Sequence, residues 1–403
     1  MPTTDAPSEA AAAASDRELS RFDRDIRDRP VEPLSMTRWI LFRGLLVLSL
    51  LAALTAFLPL LPVNWWWVRI GDYPRTQLLA CYGTLAVLVG LFMPRRGAAA
   101  ALGLLLGACA VQVVFIAPYL PLAPREVQDA ERAGEAPAIR VMTVNVLQKN
   151  DRYEAVLDLV EEVDPDVLLL LEVDDRWLTE LASLSEHFSR ELLEPLSNTY
   201  GMAFYTKLPV ERIELRHYVR DDIPSIVADV RLADDTLVRM YGVHPNPPRP
   251  GENTTKRDAE LILVGDDVRK WDGPALVFGD MNDVGWSRTT NLFQEVSRTL
   301  DPRKGRGFYS TFDATSSWLR YPLDYLFHSD HFRLRRIERL PDIGSDHFPL
   351  VIDLSFEPEA QSSQDAPDLS GDDREDAAEA VEQAEQADGA DSVGADEFRD
   401  AER

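Results

Sequence analysis

Asn145, Glu172, His244, Asp280, Asn282, Asp324, Asp346 and His347 share a context: each closes or opens a short apolar run. The clearest case is "ALVFGDMNDV", an oily stretch that stops on Asp280 and, two residues later, Asn282. Carboxylates, carboxamides and imidazoles are the side chains that take hold of a hard metal ion, a phosphate or a proton. One strand ending in Asp is commonplace, and a single Gly-Asp-x-Asn is more often a turn whose side chain satisfies its own backbone. A set of such groups at successive strand ends is different, because few stable cores need that many polar termini. Converging on one rim of a sheet sandwich, they would form a metal- or phosphate-binding centre.

The runs that carry them read as strands and helices of one domain. "IRVMTVNVL" alternates apolar and polar residues and places Asn145 near its end. "DPDVLLLLEVDD" opens on a turn signal, runs through Val167 to Leu171 and stops on Glu172. Between them, "DRYEAVLDLVEEV" sets Val156, Leu159 and Val160 on one face, the spacing of a helix packed on a sheet. "VRMYGVHPNPP" ends a further strand on His244, and "TTKRDAELILVGDDVRKW" supplies a helix ahead of the Asp280 strand. "YPLDYLFHSD" carries Asp324 in an aromatic strand, and "DIGSDHFPLVIDL" puts Asp346 and His347 just before a last one. His187, His217, His328 and His331 stand in no comparable motif and read as ordinary surface or core residues. The whole set lies between Ala138 and Phe356, enough chain for a single sizeable core.

The flanking segments are of other kinds. Residues 1–37 carry mixed charge without apolar periodicity and are expected to form a cytosolic leader. Residues 38–122 hold three uncharged runs, beginning at Gly44, Gln77 and Gly97, each near or above the roughly 20 residues that cross a bilayer as a helix. Trp65, Trp66 and Trp67 follow the first run, at the level where amphipathic rings favour the interface. Arg29, Arg38 and Arg43 early in the chain, and Arg95 and Arg96 in the second turn, are charges of the kind retained in the cytoplasm. Arg69 and Arg75, beside Asp72, oppose them only weakly, so everything beyond Leu122 is expected outside. Cys81 and Cys109, the only cysteines, fall in the spans, and no disulfide is needed in the exported part. Residues 123–137 read as a linker. From Glu357 to Arg403 there are 17 acidic and three basic residues, more than half of the net charge of −26. With large apolar residues only at Leu369, Val381, Val393 and Phe398, this tail is expected to be disordered.

In their order and spacing, "TVNVL", "DPDVLLLLEVD", "YGVHPNP", "FGDMND", "PLDYLF" and "GSDHFPL" resemble the endonuclease/exonuclease/phosphatase (DNase I-like) family over nearly all of residues 138–356. The layout with three spans ahead is similar to that of a membrane-tethered bacterial branch, which includes proteins associated with glycopeptide-antibiotic resistance. The resemblance implies an α/β fold, a four-layer sandwich of two mainly antiparallel sheets between helices. It also implies metal-dependent hydrolysis of a phosphate ester or pyrophosphate. Carried onto this chain, it makes Glu172 the ligand of Mg²⁺ or Mn²⁺, with Asn145 and Asp346 alongside. Asp280 would orient or deprotonate the attacking water, and Asn282 would hold water and phosphate. His347 would contact a phosphoryl oxygen, Asp324 would fix its tautomer and charge, and His244 would lie near the scissile phosphate. The chain departs from the family pattern in "YGMAFYTKLPV", where Thr206 and Lys207 stand in place of a frequent serine and arginine, leaving substrate contacts there open.

Charge bears on the substrate. Residues 138–356 hold 26 basic and 38 acidic residues, a poor balance for gripping a duplex through its phosphates. "DPRKGRG" gathers Arg303, Lys304 and Arg306, a candidate grip for either a phosphate head group or a nucleic-acid backbone. The expected protein is therefore an integral phosphoesterase of a bacterial plasma membrane with its domain outside, acting on a phosphorylated, lipid-linked compound. An exported nuclease and an inactive membrane interaction protein are the alternatives; the completeness of the residue set speaks against the second.

Overall fold

A computed structural model describes residues 36–388. Residues 1–35, which hold nearly all of the expected leader including Arg29, and residues 389–403, with Val393 and Phe398, lie outside the described residues.

Three helices, Met36–Phe57, Arg75–Phe92 and Arg95–Ile116, contain the apolar runs and are long and apolar enough to cross a membrane. They meet in one cluster, where Ala52 and Ala56 of the first helix and Ala101 and Ala108 of the third are buried together with Leu45, Leu105 and, from the second, Tyr82 and Val89. The segment joining the first two helices folds back on itself. Arg69 donates to the carbonyls of Pro59, Leu61 and Val63, and Arg69 and Arg75 both pair with buried Asp72. Trp65 and Trp67 stack with ring centroids 5.5 Å apart and stay exposed.

The domain beyond is the expected four-layer sandwich. One sheet runs in the order β10 (Phe332–Arg339), β11 (Leu350–Phe356), β1 (Ala138–Asn145), β2 (Val167–Leu171), β4 (Met202–Thr206), β3 (Arg190–Glu194). The other runs β5 (Val210–Arg216), β6 (Ser225–Arg231), β7 (Leu237–Val243), β8 (Ala275–Asp280), β9 (Asp324–His328). Only β1 with β2 and β7 with β8 are parallel; the other pairs are antiparallel. Each parallel pair needs a crossover, supplied by helices Tyr153–Val163 and Thr255–Arg269. Leu169, Phe204, Ile226, Met240 and Phe278 are among the residues that fill the space between the sheets. The first crossover helix covers the outer face of one sheet with Val156, Leu159, Val160 and Val163, and the second covers the other sheet with Leu261, Val264 and Val268.

This topology gathers the polar termini. Parallel pairing sends the C-terminal ends of β1, β2, β7 and β8 to one rim, while β9 and β11, antiparallel to β8 and β1, begin at that rim. Asp280 and Asp324 are cross-strand partners as a result.

Two expectations about the flanks are corrected. Residues 123–137 are not a free linker: Val127 is in the core, and Gln128 and Ala130 exchange backbone bonds with Leu334. Nor is the chain beyond Glu357 disordered as far as it is described. Glu357 accepts from the backbone N–H groups of Glu131 and Arg132, and helix Gly371–Asp388 packs Ala377, Ala378 and Val381 on Ile262, Leu292 and Val296. Its acids find domain bases, as in the 2.6 Å pair of Asp376 with Arg288. Counting only large apolar residues hides this docking, because alanines bring two helices close with little side chain. Deleting residues 365–403 should therefore lower the Tm of the detergent-purified protein by about 3–8 °C, as the second sheet's outer helices lose an apolar cover. An unchanged melting curve would show that the helix contributes no fixed contact.

Candidate active site

The residue before Asp280 in its strand is a glycine for a steric reason. A Cβ at Gly279 would fall 2.0 Å from the Val243 carbonyl oxygen of the neighbouring parallel strand. With φ of +141°, this residue takes a backbone conformation open to glycine, and Asp280 follows it as the last residue of the strand, at the rim. Asn282 follows in the left-handed region at φ 51°, and Glu172, at the end of β2, adopts φ 64°. Both are non-glycine residues in a conformation that surrounding contacts must hold.

For Asn282 those contacts are explicit. Its backbone N–H donates to Asp280 Oδ1 at 2.9 Å and its Nδ2 donates to the Pro245 carbonyl at 2.9 Å. Its carbonyl accepts from Tyr73 Oη at 2.6 Å and Arg257 Nη1 at 3.0 Å. Tyr73 belongs to the segment between the first two apolar helices, so that segment buttresses the turn at residues 280–282 directly. Trp286 Nε1 donates to the Asp72 carbonyl and Tyr119 Oη to the Gly285 carbonyl, extending the same support.

At the centre lies a row of buried charge. His347 Nδ1 and Asp324 Oδ2 are 2.8 Å apart, and His347 Nε2 stands 3.5 Å from Asp280 Oδ2. His244 Nε2 is 3.8 Å from the same Asp280 oxygen, which also receives Asn145 Nδ2 at 3.4 Å. Burial opposes charge on His347, but Asp324 and Asp280 outweigh it and push its pKa to about 10. Burial lifts Asp280 to about 6, against the pull of His347. His244 goes the other way: burial lowers its pKa despite Asp280, and its Nδ1 has no partner.

Glu172 sits beside this row. Asn145 Nδ2 donates to its Oε1 at 3.0 Å and Gln148 N to its Oε2 at 3.3 Å. Burial raises the Glu172 pKa and the charge of Asp346 adds to the rise, so the two carboxylates are close enough to repel. Asp346 Oδ1 is buried with no donor. Among the described residues, Asp280, Asp324 and His347 also form a group whose ligand atoms lie within 4.8 Å of one another and could hold a metal ion.

The structure thus brings Asn145, Glu172, His244, Asp280, Asn282, Asp324, Asp346 and His347 to one rim. It does not bring Arg303, Lys304 or Arg306 there. Arg303 is buried in a 2.5 Å pair with Asp301 and lies over the Tyr325 ring, Lys304 pairs with Glu126, and Arg306 binds Asp129 and the Val127 carbonyl. Lys304 and Arg306 fasten the segment that leaves the apolar helices through acids distant in sequence, whereas the charge of Arg303 is taken up by Asp301 of "DPRKGRG" itself. His328 is buried at the far end of β9, where burial lowers its pKa to about 4. Thr206 is buried and Lys207 pairs with Asp164, away from the rim.

Sequence reasoning missed several supporting residues. Ser345 Oγ donates to the Asn145 carbonyl at 2.7 Å and accepts from His347 N at 3.0 Å, locking two site segments together. It is the serine of "GSDHF", so its place in the motif is a usable signal. Thr311 Oγ1 accepts from Asp324 N at 3.2 Å, and nothing in its local sequence announces that.

A family model described as the endonuclease/exonuclease/phosphatase family matches residues 142–347. No curated protein sequence matches the chain. Among solved structures, the human Nocturnin catalytic domain with bound sulfate is similar at 20% identity and TM-score 0.44, over 54% of this chain and 94% of that one. A functionally unknown conserved protein of Enterococcus faecalis is similar at 18% identity and TM-score 0.45, over 54% and 100%. A family protein of Bacteroides thetaiotaomicron is similar at 16% identity and TM-score 0.44, over 55% and 96%.

Proposed function

The chain belongs to the endonuclease/exonuclease/phosphatase family, and from that premise we propose that it is a membrane-anchored, metal-dependent phosphoesterase whose substrate is a phosphate ester or pyrophosphate carried by a lipid. The observation that carries the reading is the buried row Asp324, His347, Asp280, closed by Asn145 and Asn282. A binding module has no use for carboxylates and a charged imidazole held this close at a desolvation cost.

Asp280 takes the proton of the attacking water. Asn282 N–H holds one carboxylate oxygen, so the other faces His347, His244 and Asn145, and a pKa near 6 suits a base working near neutrality. Asp324 keeps His347 protonated, which makes its Nε2–H a charged donor for a phosphoryl oxygen. His244 stays neutral, and its Nε2, 3.8 Å from Asp280 Oδ2, is the ring nitrogen turned toward the site.

Glu172 and Asp346 would hold the cation, Mg²⁺ or Mn²⁺. Two neighbouring carboxylates, one with a donorless buried oxygen, suit a hard divalent ion. The protonated His347 is a poor ligand, so the Asp280, Asp324, His347 group serves proton transfer instead. When bound, the cation supplies charge neutralisation on the phosphoryl oxygens. Asn145 joins as a ligand only with its carboxamide turned over, since Nδ2 now faces Glu172 and Oδ1 accepts from Leu147 N.

The cytoplasmic bias of Arg38, Arg43, Arg95 and Arg96 supports an extracytoplasmic domain on a bacterial plasma membrane. Arg69 and Arg75, the opposing charges, are tied up by Asp72. The nuclease reading loses its basic grip with Arg303, Lys304 and Arg306 engaged elsewhere. Assaying full-length protein with Mg²⁺ or Mn²⁺ against a polyprenyl pyrophosphate, phospholipids and plasmid DNA tests the choice. Turnover of a lipid substrate is expected, and cleavage of DNA alone would replace this reading with the nuclease.

A further inference from the structure

Exposed large apolar side chains are distributed unevenly. Among the described residues they lie in the anchor, between Met36 and Leu122, with two exceptions: Trp318, 59% exposed, and its neighbour Leu319, 47% exposed. A lone surface leucine is ordinary; an adjacent Trp and Leu, on a domain that otherwise buries such residues, mark a contact surface.

Their loop touches both the anchor and the site. Gln77 Nε2, in the second apolar helix, donates to the Trp318 carbonyl at 2.7 Å. Leu79 and Phe115, near the same end of the second and third helices, pack in one cluster with Phe312, Tyr321 and Leu323. Phe312 bridges to His347 with ring centroids 4.9 Å apart, and Ala314 N donates to the Asp346 carbonyl at 2.7 Å. The loop is built rather than loose: Ser316 Oγ accepts from Leu319 N at 2.9 Å, and Arg320 Nε donates to the Ser316 carbonyl at 2.6 Å.

We propose that residues 313–320 form a membrane-contact loop, with Trp318 and Leu319 seated in the leaflet that holds the domain-side ends of the spans, so that the site opens at head-group level onto an amphiphilic phosphoester. The inference rests on the phosphoesterase reading for the chemistry and on the apolar helices for the depth. Gln77 fixes that depth, because a residue in the first turns of a span lies near the interface, and the carbonyl it binds belongs to Trp318. Indole rings favour that level. Trp65 and Trp67, exposed at the same end of the bundle, would mark the same plane. A lipid phosphate can then reach His347 and Asp280 while its chains stay in the bilayer.

The test uses the full chain in phosphatidylcholine nanodiscs, with Cys81→Ser and Cys109→Ser so that one new cysteine takes a spin label. Labels are placed at Trp318→Cys and, as the aqueous control, at Arg336→Cys on the exposed strand β10. The label at 318 should be relaxed by oxygen, as in hydrocarbon, and shielded from a water-soluble nickel chelate; the label at 336 should show the reverse. In parallel, Trp318→Ser with Leu319→Ser should lower the ratio of turnover on a vesicle-borne lipid phosphate to turnover on bis(4-nitrophenyl) phosphate by ~10-fold, the scale of losing two membrane-seated apolar groups. Equal nickel access at 318 and 336 overturns the inference whatever the turnover, and so does an unchanged ratio. Absence of any metal-dependent turnover by the parent chain counts against the phosphoesterase reading instead, and leaves the depth measurement to decide the loop.

Discussion

Asp280→Asn should lower turnover at least ~10²-fold while the protein stays folded, because a carboxamide cannot accept the proton of the attacking water. The substitution is nearly isosteric, and the Asn282 N–H that now binds Oδ1 keeps a carbonyl oxygen to bind. Folding should be cheap to preserve for a second reason: burial already penalises the Asp280 charge, and a neutral group removes that penalty. Steady-state kinetics beside circular dichroism decide the point. Near-normal kcat in a folded variant would take the base assignment away from Asp280.

Asp324→Asn should cost ~10²–10⁴-fold in kcat with a smaller change in KM. Asp324 touches no substrate in this account; it holds His347 charged and oriented through the 2.8 Å contact at Nδ1. With a carboxamide there, one of the carboxylates that offset burial is gone and His347 gives up its proton more readily, so the phosphoryl oxygen faces a weaker, less often charged donor. An Asp324→Asn protein whose kcat falls no more than a few-fold would mean that His347 works without its partner.

The site residues were legible because the chemistry sits where periodicity changes. A strand that alternates or runs apolar and then stops on Asn145, Glu172, His244 or Asp280 is visible in one dimension, and parallel pairing of β1 with β2 and β7 with β8 then forces those ends together. Strands such as β5, "VERIELR", are not legible, since their arginines and glutamates, which pair along the strand and with β6, look like surface. The basic cluster misled for a related reason. Arg306 and Asp129 are far apart in sequence yet in contact, and composition cannot show which acids will arrive. Helix Gly371–Asp388 was hidden by its acidity, although its alanines recur on one face. Support from the segment between the first two apolar helices is least legible of all, because Tyr73 reaches the Asn282 carbonyl across 209 positions of chain.

The central claim, that Glu172 and its neighbours hold a divalent cation for phosphoester hydrolysis, is tested most directly by adding Mg²⁺ or Mn²⁺ back to metal-stripped full-length protein while following hydrolysis of a vesicle-borne lipid phosphate. Turnover should be absent in chelator, rise to saturation as metal returns, and require at least ~10-fold more metal in Glu172→Gln, which keeps the shape but loses the charge. Turnover that persists in chelator, or a Glu172→Gln protein with the metal dependence of the parent, would contradict it.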